Sequence, residues 1–213
     1  MKSPLTPEGG TEYLKMKRII ILSFLILANI FPQGKDVPLL KVMQNKFSSL
    51  HDFSVDFSQE VNGKILMTGK LSFKKENLLR LELKNLMIIS DGVTNWNYNK
   101  KEKKVIISIY NEEDVSLFSP KKFVFDYPNQ CKVKEVKDSD KTYLLLIPSS
   151  SSSDFKQAKV YPTGDQTLQK IIVTGNDGGV LIFHFSNFRG NQNFDREKFS
   201  FQIPQGTKVI DLR

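Results

Sequence analysis

Two imidazoles, one thiol and a scatter of carboxylates are what this chain offers for acid–base, nucleophilic or metal chemistry. His51 closes a helix-like pattern and His184 falls inside a strand-like one, and neither sits in a motif with metal-ligand spacing. Cys131 is the single cysteine, so no intrachain disulfide can form, and it reads as a small buried hydrophobe. Glu112 and Glu113 are adjacent loop charges, not a spaced acid/base pair. There is no Gly-rich phosphate loop and no Gly-x-Ser-x-Gly elbow. The pattern points away from an enzyme and calls for no cofactor and no metal. One polar cluster remains: Lys100, Lys101, Lys103 and Lys104 lie beside Trp96 and Tyr98. Basic residues among aromatics can form a platform for single-stranded nucleic acid. They can equally form a solvated hairpin tip that protects an edge from aggregation. The export signal described next favours the second reading and no nucleic-acid partner, and it leaves contact with anionic lipid or an acidic partner open.

The 213 residues suffice for one domain with a sizeable core, and the formal net charge of +8 suits acidic partners or an anionic membrane surface. Lys15, Lys17 and Arg18 precede an unbroken apolar run from Ile19 to Leu27. Positive residues before a run of this length read as a secretory signal peptide. The run falls short of the roughly 20 apolar residues of a membrane-spanning helix. Met16 is a candidate start, which would leave residues 1–15 as an upstream extension. With Gly34 as the last residue removed, residues 1–34 form the extension and signal, and 35–213 form the working domain. An uncleaved anchor is the alternative. No cysteine ends the apolar run, which favours a soluble periplasmic protein over one lipid-modified at its own amino terminus.

Beyond the signal, Val37, Leu40, Val42, Met43, Phe47 and Leu50 recur at spacings near three and four, with Pro38 in the first turn. This predicts an amphipathic helix that must lie on something apolar. From Phe53 the period becomes two. Phe53, Val55 and Phe57 alternate with polar residues, and Asn62-Gly63 is a hairpin signal. Ile65 to Phe73, Leu79 to Leu83, Met87 to Ile89, Trp96 to Tyr98 and Val105 to Tyr110 continue as strands. Between Asn111 and Asn129 neither period holds, and the stretch reads as short helical or irregular pieces across an opening. Strands resume at Lys132–Val136, Tyr143–Ile147, Lys159–Tyr161, Leu168–Thr174, Val180–Phe188 and Phe199–Ile203. Many short strands with such turns suggest an antiparallel sandwich or barrel. The apolar strand faces outnumber the helices available to cover them. A concave face is then either filled by side chains or left partly open as a cavity.

A set of ordered motifs carries a family resemblance. They are the amphipathic first helix, Phe53-Ser54-Val55-Asp56-Phe57-Ser58-Gln59, Gly69-Lys70-Leu71-Ser72-Phe73-Lys74-Lys75, Leu79-Arg80-Leu81-Glu82, and Asp91-Gly92 followed by Trp96-x-Tyr98. The last is Phe199-x-Phe201-x-x-Pro204-x-Gly206-x-x-Val209-Ile210-Asp211. Over residues 36–213 the chain resembles the LolA family, the periplasmic carriers of bacterial lipoproteins. The resemblance implies a mainly β fold with a few helices (α+β). Its form would be an incomplete antiparallel β-barrel, or curved half-barrel, with an N-terminal amphipathic helix and a short helical lid.

It also implies a carrier that is a monomer without enzymatic activity. Such a carrier takes acylated lipoproteins from an inner-membrane ABC-type lipoprotein-release complex to an outer-membrane lipoprotein acceptor, with transient membrane-surface contact. A greasy cavity suits that task, because each methylene left in water costs about 0.8 kcal/mol. On this reading Met67 and Met87 are adaptable cavity liners. Val55, Phe57, Leu71, Phe73, Leu81, Ile89, Trp96 and Leu145 line the walls, and Leu117 and Phe118 line the lid. Lys75 stands where family members carry an arginine that hydrogen-bonds the lid. It is expected to contact the lid as a point donor without arginine's planar fork. Arg80, beside it, is expected to face solvent with Glu82. Two alternatives stay open: an envelope sensory or regulatory module on the same fold, and a carrier of other lipids such as glycolipids.

Overall fold

Alternation in β1 (Asp52–Val61) sets the frame. Phe53, Val55 and Phe57 are buried on one face, and β2 (Lys64–Lys74) folds back on β1 through the Asn62-Gly63 turn, where both residues have positive φ. The structure is a computed structural model, and it describes residues 37–111 and 122–213. The signal-peptide reading, Leu117 and Phe118 lie outside the described residues.

The predicted amphipathic helix is α1 (Pro38–Ser48), with Pro38 in its first turn and Leu40, Met43 and Phe47 buried. Val42, counted in the apolar pattern, is 46% exposed. Four more strands follow β2: β3 (Leu78–Leu83), β4 (Leu86–Asp91), β5 (Thr94–Asn99) and β6 (Lys104–Ile109). A π-helical turn (Lys122–Asp126) runs into the short α2 (Tyr127–Gln130), in keeping with the short helical pieces expected there. Then come β7 (Cys131–Asp138), β8 (Lys141–Pro148), β9 (Gln157–Pro162), β10 (Leu168–Thr174), β11 (Val180–Gly190) and β12 (Lys208–Asp211).

All the strands form one 12-stranded sheet in the order β12-β6-β5-β4-β3-β2-β1-β11-β10-β9-β8-β7. Every pairing is antiparallel except β12 on β6, which is parallel. The sheet is curved and open, an incomplete barrel. Bulges supply part of the twist. They fall between Ser54 and Asp56 against β11, between Gln59 and Glu60 against β2, and between Leu168 and Lys170 against β9. Gly69 permits close approach at the β2–β3 seam. A Cβ there would meet Leu83 Cδ2 at 2.5 Å and the Glu82 carbonyl oxygen at 2.7 Å.

The inner face carries one apolar cluster. Leu40, Met43 and Phe47 of α1 join Phe53, Val55, Leu71 and Leu81 on one side and Leu144, Val160 and Ile171 on the other. Phe47 meets Phe53 and Phe188 edge-on, with ring centroids 5.9 and 6.0 Å apart. The outer face of β3–β6 has a second cover, the segment after β11. Here the structure departs from the alternation: Phe199–Ile203 is no strand. Arg196–Phe199 is a 3-10 turn, capped by the Asp195 carboxylate accepting from Glu197 N at 3.1 Å, and the chain then runs on unpaired until β12. Phe199 is completely buried, and Phe201 packs on Tyr98 with centroids 5.3 Å apart. The Phe-x-Phe period is real, but its partner is a sheet face, not a neighbouring strand. Arg80 accordingly does not face open solvent. It pairs with Glu82 at 2.6 Å and donates to the Lys198 carbonyl at 3.2 Å.

One buried carboxylate ties this segment down. Asp52, 1% exposed, accepts from Gln192 N at 2.7 Å and Phe194 N at 2.8 Å, while its own carbonyl accepts from Asn191 N. Charge-assisted bonds to backbone N–H groups are among the stronger ones. Asp52→Ala strips acceptors from two amides and is expected to cost about 3 kcal/mol in urea denaturation, with amide exchange accelerated first across residues 191–202. Gly69→Val is expected to destabilise by about 2 kcal/mol through the clash at the β2–β3 seam, read as a drop in Tm.

Candidate functional site

The β1–β2, β3–β4, β5–β6 and β10–β11 hairpin turns lie at one end of the sheet, as the strand registers require. At this end the inner face of β1, β10 and β11 stands opposite the π-helical turn and α2, and a cavity of about 550 Å3 lies between them. The sheet contributes Val61, Val173, Leu181 and Phe183, and Phe123 and Tyr127 face them. The opposing wall is an aromatic chain, Phe123 to Tyr127 to Phe155, with centroids 5.0 and 5.1 Å apart. It is fastened to α1 by Gln44 Nε2 donating to the Val124 carbonyl at 2.9 Å. Polar groups lie among the liners: Gln59, Lys122, Gln130, Asp154 and Asp177. Asp177 caps its own turn by accepting from Gly179 N at 2.9 Å. A smaller hollow of about 360 Å3 under β4–β6 is lined by Ile88, Ile106 and Leu212 but also by Asn95, Asn97 and Ser108.

Among the described residues lining the larger cavity there is no histidine, cysteine or serine. Among the described residues no three His, Cys, Asp or Glu side chains come together as a metal site. Burial pushes the Cys131 thiol above its ordinary pKa, which lowers its thiolate content and its reactivity. His184 sits on the outer face, 3.1 Å from the Glu60 carboxylate. What the cavity can do is remove apolar matter from water.

The structure distributes the predicted liners over three places. Val55, Phe57, Leu71 and Leu81 are buried in the cluster shared with α1, and Met67 and Phe73 pack partly buried against it. Met87, Ile89 and Trp96 occupy the outer face. Arg80 Nη2 lies 3.5 Å from the Met87 sulfur, and Ile89 is opposite both Arg80 and Trp96 in register, on the face the C-terminal segment covers. Leu145 is also on the outer face, between Lys134 and Lys159 in register. The 550 Å3 cavity takes its lining from other residues. Phe183 and Leu181 were signalled by the alternation of Val180–Phe188, but which stretch of the inner face stays uncovered was not. Lys75 grips α1: its Nζ donates to the Ser48 carbonyl at 3.1 Å, placing a cation at the negative end of that helix.

A family model described as outer membrane lipoprotein carrier protein LolA matches residues 48–202, from the last residue of α1 through the 3-10 turn. The chain belongs to the LolA family. It is 27% identical over 208 residues to an outer-membrane lipoprotein carrier protein of Francisella philomiragia, covering 92% of this chain and 98% of that one. With the protein of the same description from Haemophilus influenzae strain Rd it shares 28% identity over 184 residues, covering 80% of this chain and 86% of that one. Among solved structures, an uncharacterized conserved protein from Thermus thermophilus shares the fold, with a TM-score of 0.55 at 13% identity over 81% of this chain and 96% of that one. The LolA-family match spans both the sheet walls of the cavity and the turn opposite them.

Filling the cavity separates it from the outer face. Val173→Trp is expected to weaken binding of a fluorescent fatty-acyl probe at least about tenfold, since a ring there occupies the space an acyl chain needs. Trp96→Phe, on the outer face, leaves probe affinity unchanged. Lys75→Met is expected to cost about 0.5 kcal/mol in thermal unfolding, the usual worth of a cation at an exposed helix C-terminus.

Proposed function

We propose that this protein is an exported carrier that holds the acyl chains of lipoproteins in the cavity beneath the Lys122–Gln130 turn. On this reading it acts in the periplasm, reached through the signal within residues 1–34, with residues 35–213 as the working domain. It collects cargo from an inner-membrane ABC-type release complex and yields it to an outer-membrane acceptor. The observation that carries the proposal is the cavity itself. At about 550 Å3 it falls within the usual range for small-molecule sites, and its sheet wall is mainly apolar, with Val61, Val173, Val180, Leu181 and Phe183 beside Gln59. Membership of the LolA family and the names of the relatives support the same conclusion.

The physics sets what such a carrier must do. A triacylated amino terminus loses about 0.8 kcal/mol of favourable transfer for every methylene exposed to water. An apolar wall recovers that term without demanding a particular chain length. Release needs the opposite, so one wall must be less firmly held than the other. Here the sheet wall is built into the strand ladders, whereas the facing wall is a short π-helical turn without a ladder, held by the core packing of Phe123 and Val124 and by the Gln44–Val124 bond.

Purification from the periplasm of cells with active lipoprotein sorting, followed by mass spectrometry of the extracted ligands, tests the reading. Acylated proteins or their lipopeptides are expected to co-purify with the wild type and to be lost from Val173→Trp. Recovery of glycolipid alone would overturn the lipoprotein assignment, and recovery of no acylated species would overturn the carrier reading.

A further inference from the structure

The β1–β2 hairpin reaches past β3 on one side, while on the other β11 pairs with β1 as far as Val61. β2 has 11 residues, yet β3 meets it only from Gly69 to Lys74. Lys64 to Thr68 are therefore paired to β1 alone, and the hairpin stands roughly 15 Å proud of the β3–β4 turn at the usual strand rise. Near its tip, Ile65 and Leu66 are each 64% exposed. Leu66 is the extra residue of the bulge against β1, where Gln59 is opposite Met67 and Glu60 opposite Ile65, so two adjacent apolar side chains are exposed in the place where a hairpin is ordinarily polar.

Lysines stand around it. Lys64 begins β2, Lys84 lies in the β3–β4 turn, and Lys100, Lys101 and Lys103 lie in the β5–β6 turn at the same end. The two lysine turns are joined by Lys100 N donating to the Asn85 carbonyl at 2.8 Å. Glu102 is the carboxylate of the two lysine turns and is engaged by Lys104 at 2.9 Å, and Asp177 in the β10–β11 turn at the same end accepts from Gly179 N. The cavity is at this end too: Val61, the last residue of β1, and Val180 line it.

An aliphatic fingertip beside a bank of ammonium groups, of which Lys100 also donates to the Leu83 carbonyl at 2.9 Å, is suited to the headgroup layer of an anionic bilayer. Aliphatic side chains gain from shallow insertion, and lysines near the surface are attracted to lipid phosphates while their stems lie along apolar surface. A protein partner fits less well, because a single hairpin tip offers far less than the roughly 800 Å2 that a stable interface buries on each side. A second copy would bring one lysine bank against another. We propose that this end of the molecule docks on an anionic phospholipid surface, with Ile65 and Leu66 entering the headgroup region and Lys64, Lys84, Lys100, Lys101 and Lys103 held by lipid phosphates. The docking draws its purpose from the carrier reading, since it sets the cavity end at the membrane where acyl chains leave and enter.

The test is co-sedimentation of the protein, purified from the periplasm, with phosphatidylethanolamine–phosphatidylglycerol vesicles and with phosphatidylcholine vesicles, at low and high salt. Selective binding to the anionic vesicles, suppressed by salt, is expected. Ile65→Ser with Leu66→Ser should weaken it at least about tenfold, as should Lys100→Gln with Lys101→Gln and Lys103→Gln. These variants share the wild-type amino terminus, so any difference belongs to the tip. Fatty-acyl probe binding should be unchanged in all of them, which shows that the fold and cavity persist and keeps failure of docking distinct from failure of the carrier reading. The proposal is overturned by absence of vesicle binding, by equal binding to neutral vesicles, or by anionic binding that survives both sets of substitutions. Loss of lipoprotein delivery in the variants without any vesicle binding would also overturn it, in favour of an acidic protein partner.

Discussion

The molecule is governed by a mismatch between the apolar face of its sheet and the helix available to cover it. α1 has 11 residues and is about 16 Å long. Across its strands the 12-stranded sheet measures about 50 Å along the arc. Curvature brings the two wings of the inner face toward each other, so that Leu81 on β3 and Leu144 on β8 join one cluster with Met43. Even so, one helix cannot reach the whole face. Among the described residues the further cover comes from the π-helical turn and α2, and between that turn and the sheet lies the 550 Å3 cavity.

The outer face is solved differently on the two wings. Over β3–β6 it is sealed by an extended segment that places Phe199 in the interior and is anchored through Asp52 at the foot of β1. Ile89, Val105 and Ile107 are buried there as part of a second layer. Over β8–β10 the outer face is an amphipathic surface instead. Tyr143 and Tyr161 pack against each other with centroids 4.9 Å apart, while Lys159 and Lys170 lie over their rings at 5.3 and 4.5 Å. Cation–π contact and buried lysine stems let this wing remain wet without exposing bare hydrocarbon.

Firmness and mobility follow from these arrangements. The sheet walls of the cavity are locked by ladders on both sides, whereas the opposite wall is a short turn held by the burial of Phe123 and Val124 in the core and by the Gln44–Val124 bond to α1. π-Helical turns recur at functional sites, where their widened backbone stores a local irregularity. Lys75 and the Ser48 carbonyl hold the far end of α1 to the β2–β3 turn.

Local chemistry in the chain determined much of the architecture. Period-two runs placed nearly every strand, Asn62-Gly63 marked its hairpin, and Val37 to Leu50 announced α1, because each signal depends on neighbours a few residues apart. The apolar character of Val55, Phe57, Leu71 and Leu81 was legible for the same reason. Tertiary structure alone decided what each apolar face meets. Met87, Ile89 and Trp96 have the same alternation as the inner residues, yet the opposite face is theirs because the C-terminal segment arrives to cover it. Phe199 and Phe201 read as a strand until the sheet offers them a surface in place of a partner strand. That Phe183 and Val173 line the 550 Å3 cavity depends on how the π-helical turn stands against the far end of the sheet, a comparison of distances that no local pattern contains.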